Sequence, residues 1–348
     1  MRPGRLVFVS FWLWIGALAG CSRAPLHHQE SFVFGTRVEV WIAGVSEAQA
    51  RPAAAAVLHE FDRLHRTYHA WKPSELTVLN DALAAGQRSV VSAEMAALIG
   101  NAQRLSQASE QLFDPGIGWL IRLWGFQADE INAQLPDPDL LAEWQGGRAG
   151  IADLRIDAGR VASGASARLA LDFGGYLKGV ALDRAAEILR EHGVRDALIN
   201  IGGNVIALGR KNGQRWRVGI QHPRAAGPLA IVELDDGEAI GTSGDYQRYF
   251  EFAGKRYCHV LDPRSGHPPM HTQALTVLIP PGAEAGTLSD VLSKPLFIAG
   301  DDWPRLARRL AVAAVLKVDA SGGVQVTAAL QQRLEFVGGK PKALAIVP

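Results

Sequence analysis

Apolar and polar positions along the chain alternate with two different periods, one typical of strands and one typical of helices. Residues 32–42 alternate as a strand with a glycine bend, whereas apolar side chains recur at helical spacing over residues 48–64 and 94–109. A further helix is predicted over residues 182–192, with Gly193 as its stop. Short strands are predicted at residues 197–201, 216–220, 230–234, 248–252 and 274–279, and a last helix at residues 303–312. Glycine turns between the strands favour antiparallel pairing, so the predicted fold class is α+β, with mixed or antiparallel sheets and packed helices.

The first thirty residues differ from the rest of the chain and predict a signal for export. Two arginines in residues 1–5 precede an uncharged run over residues 6–18, and small residues lead directly to Cys21. This pattern is typical of a lipoprotein signal peptide over residues 1–20, with Cys21 as the lipidated first residue of the mature protein. The apolar run is too short to favour a permanent membrane span, which needs about 20 residues. We therefore predict a tether over residues 21–30 and one domain over residues 31–348.

The amino-acid composition disfavours or excludes some classes of protein. Lys plus Arg total 36 and Asp plus Glu total 35, so no global charge attracts nucleic acid, and a nucleic-acid partner is disfavoured. The only cysteines are Cys21 and Cys258, which excludes a disulfide scaffold. Cys258 is either a buried small hydrophobe or a reactive thiol, and its strand-like neighbours favour the buried interpretation.

Common catalytic templates are absent from the sequence. It contains neither a Walker phosphate loop nor the Gly-x-Gly-x-x-Gly fingerprint, and Ser243 lacks the flanking glycines of a nucleophile elbow. His59 begins a zinc-protease pattern, but Arg63 stands where the second histidine is required. Nucleotide binding by those loops, serine hydrolysis and zinc hydrolysis are therefore unsupported.

Four residues remain as candidates, each with a structural alternative. Lys178 follows a glycine-rich turn from Asp172, where it faces either a phosphate at a helix start or solvent. His259 lies beside a phosphate or flavin, or is hydrogen-bonded within a sheet. Asp290 either caps a helix or ligates a hard cation. Trp71 is either a core residue or a stacking platform.

Taken in chain order, several segments resemble one family, the FAD:protein FMN transferases, also called ApbE-type flavin transferases. The matches span roughly residues 32 to 300, and their order is far more specific than any single glycine pair. The segments are Phe34-Gly35-Thr36, Ser74 to Leu76 with Leu79-Asn80, Phe113-Asp114-Pro115, Leu123 to Phe126, Asp172 to Gly179, Asn200 to Gly203, Thr242 to Tyr246, and His259 to Gly266.

The resemblance implies an ApbE-like fold and an enzyme that splits FAD. Such an enzyme leaves FMN, through a phosphodiester bond, on a threonine or serine of an acceptor protein and releases AMP. His259 corresponds to the family's histidine near the reacting phosphate and is the candidate general base. The implied FAD-binding residues are Phe34, Trp71, Leu112, Phe113, Asp114, Asp172, Lys178 and Pro269.

The resemblance also implies a Mg²⁺ site, at which this chain departs from the family pattern. The implied ligands are the backbone oxygen of Gly175, the Asp290 carboxylate and Ser293, while Lys294 stands where the family has a threonine. A charged ammonium only donates hydrogen bonds and cannot ligate Mg²⁺. Either the ammonium supplies part of the metal's charge, or Lys294 turns away and the other three residues hold the ion with extra waters. The second arrangement is the one we expect from the sequence.

Three functions follow as hypotheses. The first is a lipid-anchored transferase on the periplasmic side of a bacterial membrane. The second, suggested by Lys294, is a lipoprotein that binds FAD without chemistry. The third is an FAD pyrophosphatase that releases FMN to water.

Overall fold

The computed structural model describes residues 26–157, 160–162, 166 and 168–347. The predicted signal peptide and Cys21 lie outside these residues. Among the helices of the described segments, none has both the length and the hydrophobicity needed to cross a membrane.

The chain enters the fold as a β-hairpin. Strand β1 (Leu26–Val33) pairs antiparallel with β2 (Thr36–Ala43), and the two residues between them, Phe34 and Gly35, have φ angles of 57° and 69°. Positive φ at both central residues matches the twist of paired strands. Two predictions are corrected here. Residues 32–42 form two strands rather than one bent strand, and residues 26–30, assigned to a tether, belong to β1. The pattern of apolar residues does not reveal β1, because most of its side chains face solvent rather than a core.

A nine-stranded sheet forms the centre of the fold. Its strand order is β1-β2-β6-β7-β10-β13-β14-β15-β17, and neighbouring strands are antiparallel except for the parallel pair at the β15–β17 edge. Its remaining strands are β6 (Asp196–Ile201), β7 (Asn204–Leu208), β10 (Ala239–Gly244), β13 (Thr272–Ile279), β14 (Ala314–Asp319), β15 (Val324–Thr327) and β17 (Leu344–Val347). Strand β13 is buried along its whole length, so the sheet is covered on both faces. The predicted α+β class is confirmed.

The helices of the described segments are α1 (Glu47–Thr67), α2 (Glu75–Ala84), α3 (Ala93–Ala108), α4 (Gly118–Leu123), α5 (Pro138–Gly146), α6 (Leu177–Glu191), α7 (Ala285–Ile298), α8 (Trp303–Arg309) and α9 (Ala328–Gln331). Helices α1, α2, α3, α6, α7 and α8 pack on one face of the sheet and bury the main hydrophobic core with it. Helices α4, α5 and α9 contribute to two smaller cores instead. Gly193 follows α6 with a φ of 72°, as the predicted stop requires. Helix α2 is missing from the predictions because its ten residues are too few for a clear helical period.

Smaller sheets complete the molecule. A three-stranded sheet of β8, β9 and β16 covers the opposite face of the central sheet and encloses a second core with it. The hairpin of β11 and β12 packs with α4 and α5 around a third cluster that contains Trp124 and Trp144. The strands are β3 (Ser89–Val90), β4 (Arg155–Asp157), β5 (Arg160–Ala162), β8 (Trp216–Gln221), β9 (Pro228–Leu234), β11 (Tyr249–Phe252), β12 (Lys255–Cys258) and β16 (Leu334–Phe336). Cys258 ends β12 as a buried side chain, and burial raises its thiol pKa to about 12. The buried interpretation of this cysteine therefore agrees with the structure.

Helices α6 and α7 cross at a distance that only glycine permits. A Cβ atom added to Gly179 of α6 would lie 2.6 Å from the carbonyl oxygen of Gly286 and 2.7 Å from the Cα of Thr287, both on α7. These are backbone atoms, which cannot rotate away as a side-chain end does. The close crossing fixes the position of α7 against the start of α6.

We predict that Gly179→Ala destabilises the protein by about 1–3 kcal/mol, the usual effect of overpacking a tight contact. Gly100→Ala is the matched control, because Gly100 is an exposed glycine within α3 whose added Cβ would meet nothing within 4 Å. The control should gain about 0.5–1 kcal/mol from better helix propensity. Urea titrations of both variants give the free energies of unfolding. Changes of the same sign would contradict the close-crossing argument.

Candidate active site

A cavity of about 920 Å³ opens between the central sheet, α7 and the start of α6. The β1–β2 turn and the segment after α1 form one wall, and the segment after β12 forms another. Most residues predicted for the site line it: Phe34, Trp71, Leu112, Phe113, Asp114, Asp172, Gly175, Lys178, His259 and Asp290. Segments far apart in the sequence therefore converge on one volume.

Pro269 and Ser293 are not among the residues that line the cavity. Pro269 lies beyond the turn that follows β12, outside the wall. The Ser293 hydroxyl is buried on α7, where it lies 2.7 Å from the Ser243 hydroxyl and donates to the Asp290 carbonyl at 2.9 Å. The structure therefore does not bring these two predicted residues to the cavity. For Ser293 the reason is local, because hydrogen bonds to Ser243 and to the Asp290 carbonyl already engage its hydroxyl.

Aromatic rings form one end of the cavity. The Phe34 ring meets His65 edge-on at 5.6 Å between centroids, His65 lies 4.9 Å from His69, and His69 meets Trp71 at 4.5 Å. The guanidinium of Arg248 lies 6.0 Å from the centroid of Trp71. Burial lowers the pKa of both histidines, which keeps these two rings neutral. A flat aromatic ligand matches such a surface. Sequence reasoning identified only Phe34 and Trp71 here.

Two carboxylates shape the loops around the cavity. Asp114 accepts hydrogen bonds from the backbone of Gly116 at 2.7 Å and Ile151 at 2.9 Å, and burial raises its pKa to about 6. Asp172 accepts from the backbone of Gly174 and from the side-chain amide of Gln127, both at 2.8 Å. Burial likewise raises the pKa of Asp172. These aspartates hold the backbone in place, so their contribution to ligand binding is preorganisation.

Lys178 is the second residue of α6, and the turn after Asp172 places it in the cavity wall. Burial lowers the pKa of Lys178, while the Asp290 carboxylate acts in the opposite direction. Lys178 forms no salt bridge within the described part of the chain. A lysine that forms no direct salt bridge in the described segments and lines the cavity from the start of a helix is suited to a phosphate.

His259 follows β12 directly. It is hydrogen-bonded to a neighbouring strand end and also lines the cavity, so both interpretations considered for it apply. Its backbone N–H donates to the carbonyl of Arg248 at 3.0 Å, and its Nδ1 lies 3.2 Å from the same oxygen. Because a carbonyl only accepts, Nδ1 carries the proton and Nε2 keeps a free lone pair. Burial, followed by the nearby charge of Lys178, lowers the pKa of His259 to about 3. The ring is therefore neutral, anchored through one nitrogen and able to accept a proton through the other.

Arg248 is a cavity residue that the sequence analysis missed. Its Nη2 donates to the carbonyls of Phe126 and Ala128, both at 2.9 Å, and it forms no salt bridge with any residue in the described ranges. The side chain therefore adds a second positive charge near Lys178. A lone arginine before a short strand carries no motif, so only the packing of the β11–β12 hairpin identifies it.

Comparison with known proteins places the chain in a family. Residues 34–316 match the ApbE family. The chain belongs to this family. The FAD:protein FMN transferase of Rhodobacter capsulatus is 40% identical over 326 residues, which are 93% of this chain and 61% of that relative. The protein of the same name from Haemophilus influenzae is 32% identical over 254 residues, 71% of each chain. The resemblance inferred from the ordered motifs is confirmed.

Solved structures agree with the ApbE assignment. The ApbE protein of Thermotoga maritima superposes with a TM-score of 0.81 at 28% identity, over 89% of this chain and 99% of that one. The flavinyl transferase ApbE of Pseudomonas stutzeri, in its apo form, gives a TM-score of 0.77 at 29% identity over 92% and 99%. The predicted ApbE-like fold is confirmed.

The residues implied as Mg²⁺ ligands do not fit that ion in this ApbE family member. Asp290 uses one carboxylate oxygen, Oδ2, to accept from the Gly179 backbone at 2.9 Å, and its Oδ1 lies 2.6 Å from Lys294 Nζ. The expectation that Lys294 turns away is therefore wrong. Asp290 also does not cap α7; the Asp183 carboxylate accepts from the first N–H groups of that helix instead. Burial would raise the pKa of Asp290, but Lys294 and Lys178 together hold it below its usual value.

We predict that His259 makes stability fall with falling pH. Its pKa is about 3 in the folded protein and about 6.5 when unfolded, so between these values only the unfolded chain binds the proton. Stability is thus lost as the pH falls from about 6.5 towards 3. His259→Gln should reduce the slope of unfolding free energy against pH by close to one proton in that window. His192→Gln, at the exposed end of α6, is the control. Equal slopes for wild type and His259→Gln would refute the assignment.

Proposed function

We propose that this protein is an FAD:protein FMN transferase. The observation that carries this conclusion is a single cavity, in a member of the ApbE family, with an aromatic wall at one end, Lys178 and neutral His259 at the other, and Arg248 beside Trp71. FAD has matching chemistry, since a flat isoalloxazine ring is connected to an anionic pyrophosphate. The acceptor is a threonine or serine hydroxyl of a second protein.

Each end of the cavity has its own part in binding FAD. Phe34 and Trp71 offer ring faces to the isoalloxazine, with Leu112 and Phe113 beside them. Lys178, at the start of α6, receives the pyrophosphate oxygens. Asp172 holds the intervening turn in the shape that this contact needs.

The reaction needs a base, a positioned phosphorus and a stabilised leaving group. His259 Nε2 accepts the proton of the acceptor hydroxyl while its oxygen attacks the FMN phosphorus. The bond between that phosphorus and the bridging oxygen breaks, and AMP leaves with the electron pair. Lys178 and Arg248 stabilise the negative charge that grows on the leaving phosphate. The products are AMP and FMN joined to the acceptor by a phosphodiester bond.

The proposed location is the cell envelope. The sequence of residues 1–20 and the small residues before Cys21 support export and lipidation of that cysteine, by palmitate and related acyl chains. The mature enzyme would then be anchored on the periplasmic side of a bacterial membrane, and its acceptor protein would be flavinylated there.

Two variants separate chemistry from binding. His259→Ala should lower the single-turnover transfer rate by about a hundredfold with little change in FAD affinity, because it removes the base. Asp172→Ala should instead weaken FAD binding, because it releases the turn before Lys178. The assay mixes enzyme, FAD, Mg²⁺ and an acceptor domain, and mass spectrometry follows the acceptor and AMP.

His192→Ala, remote from the cavity, is the control for both variants. Normal single-turnover transfer by His259→Ala would refute its role as the base. With wild type, FMN mass on the acceptor supports the transferase. Free FMN instead identifies a pyrophosphatase, and unchanged FAD identifies a binding protein without chemistry.

Cys21→Ala should release the protein from membranes, because acyl chains contribute about 0.8 kcal/mol of membrane affinity for each buried CH₂ group. Fractionation of cells measures the membrane-bound share, and mass spectrometry of the mature N-terminus detects the lipid. Cys258→Ala is the matched control and should stay on the membrane. An unmodified Cys21 in the wild type would overturn the anchor.

A further inference from the structure

Lys294 lies where the family resemblance implies part of a metal site. The lysine follows Asp290 by one turn of α7, and its Nζ is 2.6 Å from the carboxylate oxygen Oδ1 and 2.7 Å from the Asp290 carbonyl oxygen. The Lys294 side chain is 16% exposed and that of Asp290 is 1% exposed. The ammonium is therefore held by two oxygens of one buried residue.

Gly175 leaves the space that this lysine needs. A Cβ atom at Gly175 would lie 2.8 Å from Lys294 Cε and 3.1 Å from its Cδ. The lysine stem thus lies directly against the turn that leads into α6. Positions 175 and 290, both implied as metal ligands, meet at the Lys294 side chain.

The side-chain oxygens of two of the three implied metal ligands, Asp290 and Ser293, are already bonded. Asp290 Oδ1 receives the ammonium, Oδ2 receives the Gly179 backbone N–H, and Ser293 Oγ is bonded to Ser243 and to the Asp290 carbonyl. Mg²⁺ requires near-octahedral oxygens at about 2.0–2.1 Å. A metal at Oδ1 would have to displace the ammonium or share an oxygen with another cation.

The ammonium also has a donor left for a ligand. It carries three N–H bonds, and Asp290 accepts two of them. Lys294 lines the same cavity as Lys178 and Arg248. The remaining donor and the positive charge are thus available on the side where the pyrophosphate is proposed to bind.

We propose that the Lys294 ammonium takes the place of the divalent cation in this protein, so that its pyrophosphate chemistry requires no added Mg²⁺. The inference rests on the proposed transferase function for its activity readout, but the absence of a metal site is testable without it. Lys294, Lys178 and Arg248 together neutralise the pyrophosphate and the leaving AMP, while Asp290 fixes the ammonium in place.

The first experiment measures metal binding alone. Wild type and Lys294→Thr are titrated with Mn²⁺, and the electron paramagnetic resonance signal measures the free ion. The substitution supplies a hydroxyl oxygen and removes the positive charge. Wild type should have no Mn²⁺ site that is lost in Asp290→Asn. Lys294→Thr should gain one Mn²⁺ site, and adding Asp290→Asn to that variant should remove the site. Lys340→Thr, at an exposed position near the C-terminus, controls for the loss of a lysine. A wild-type Mn²⁺ site lost in Asp290→Asn would overturn the proposal.

The second experiment measures FMN transfer in excess EDTA and in Mg²⁺. Wild type should transfer at the same rate in both, whereas Lys294→Thr should lose about a hundredfold in EDTA and recover in Mg²⁺. Lys294→Met, with neither charge nor oxygen, should stay slow in both.

Wild type that is inactive in EDTA and restored by Mg²⁺ would overturn the inference and leave the proposed transferase function intact. Wild type without transfer in either buffer would refute the function, and the Mn²⁺ titration would still decide the metal question. Because the comparison of wild-type transfer in EDTA and in Mg²⁺ needs no variant, misfolding of a substituted chain cannot obscure that result.

Discussion

The buried carboxylate of Asp290 joins the two helices around which the cavity is built. One of its oxygens accepts the backbone N–H of Gly179 on α6, and the other accepts the ammonium of Lys294 on α7. A carboxylate so far from solvent is stable only when hydrogen bonds and a counter-charge replace its hydration. The contact also requires the close approach of the helices at Gly179 and Gly286. Loss of either the glycine or the counter-charge would move the start of α6, and Lys178 with it.

The two ends of the cavity are kept electrostatically distinct by different means. At the aromatic end, burial keeps His65 and His69 neutral, so these rings present apolar faces. Lys178 and Arg248 form no salt bridges in the described segments, and burial together with the charges of these two residues lowers the pKa of His259. A cationic cluster thus serves two purposes: it attracts an anionic substrate, and it preserves the lone pair of the neighbouring base.

Much of this site could be predicted from the sequence because its loops carry ordered motifs. Asp172, Lys178 and His259 stand in short segments that are specific only when taken together in chain order, and all three residues line the cavity. Other features depend on tertiary packing. Strand β1 is polar and gains its structure only from pairing with β2, while Arg248 reaches the cavity through a hairpin with no signature of its own. The direction of Lys294 could not be predicted either, since the space beside Gly175 exists only in the folded chain.

The early start of β1 limits how far the enzyme can move from a membrane. Leu26 is already paired with Ala43 in the central sheet, so only five residue steps separate the sheet from Cys21. Fully extended, such a connection spans about 18 Å at most. If Cys21 carries the lipid, the edge of the central sheet stays within that distance of the lipid headgroups. The cavity lies at the other end of the eight-residue strand β1, where the Phe34–Gly35 turn lines it. The short connection and the length of this strand together would limit the height above the bilayer at which an acceptor protein presents its hydroxyl.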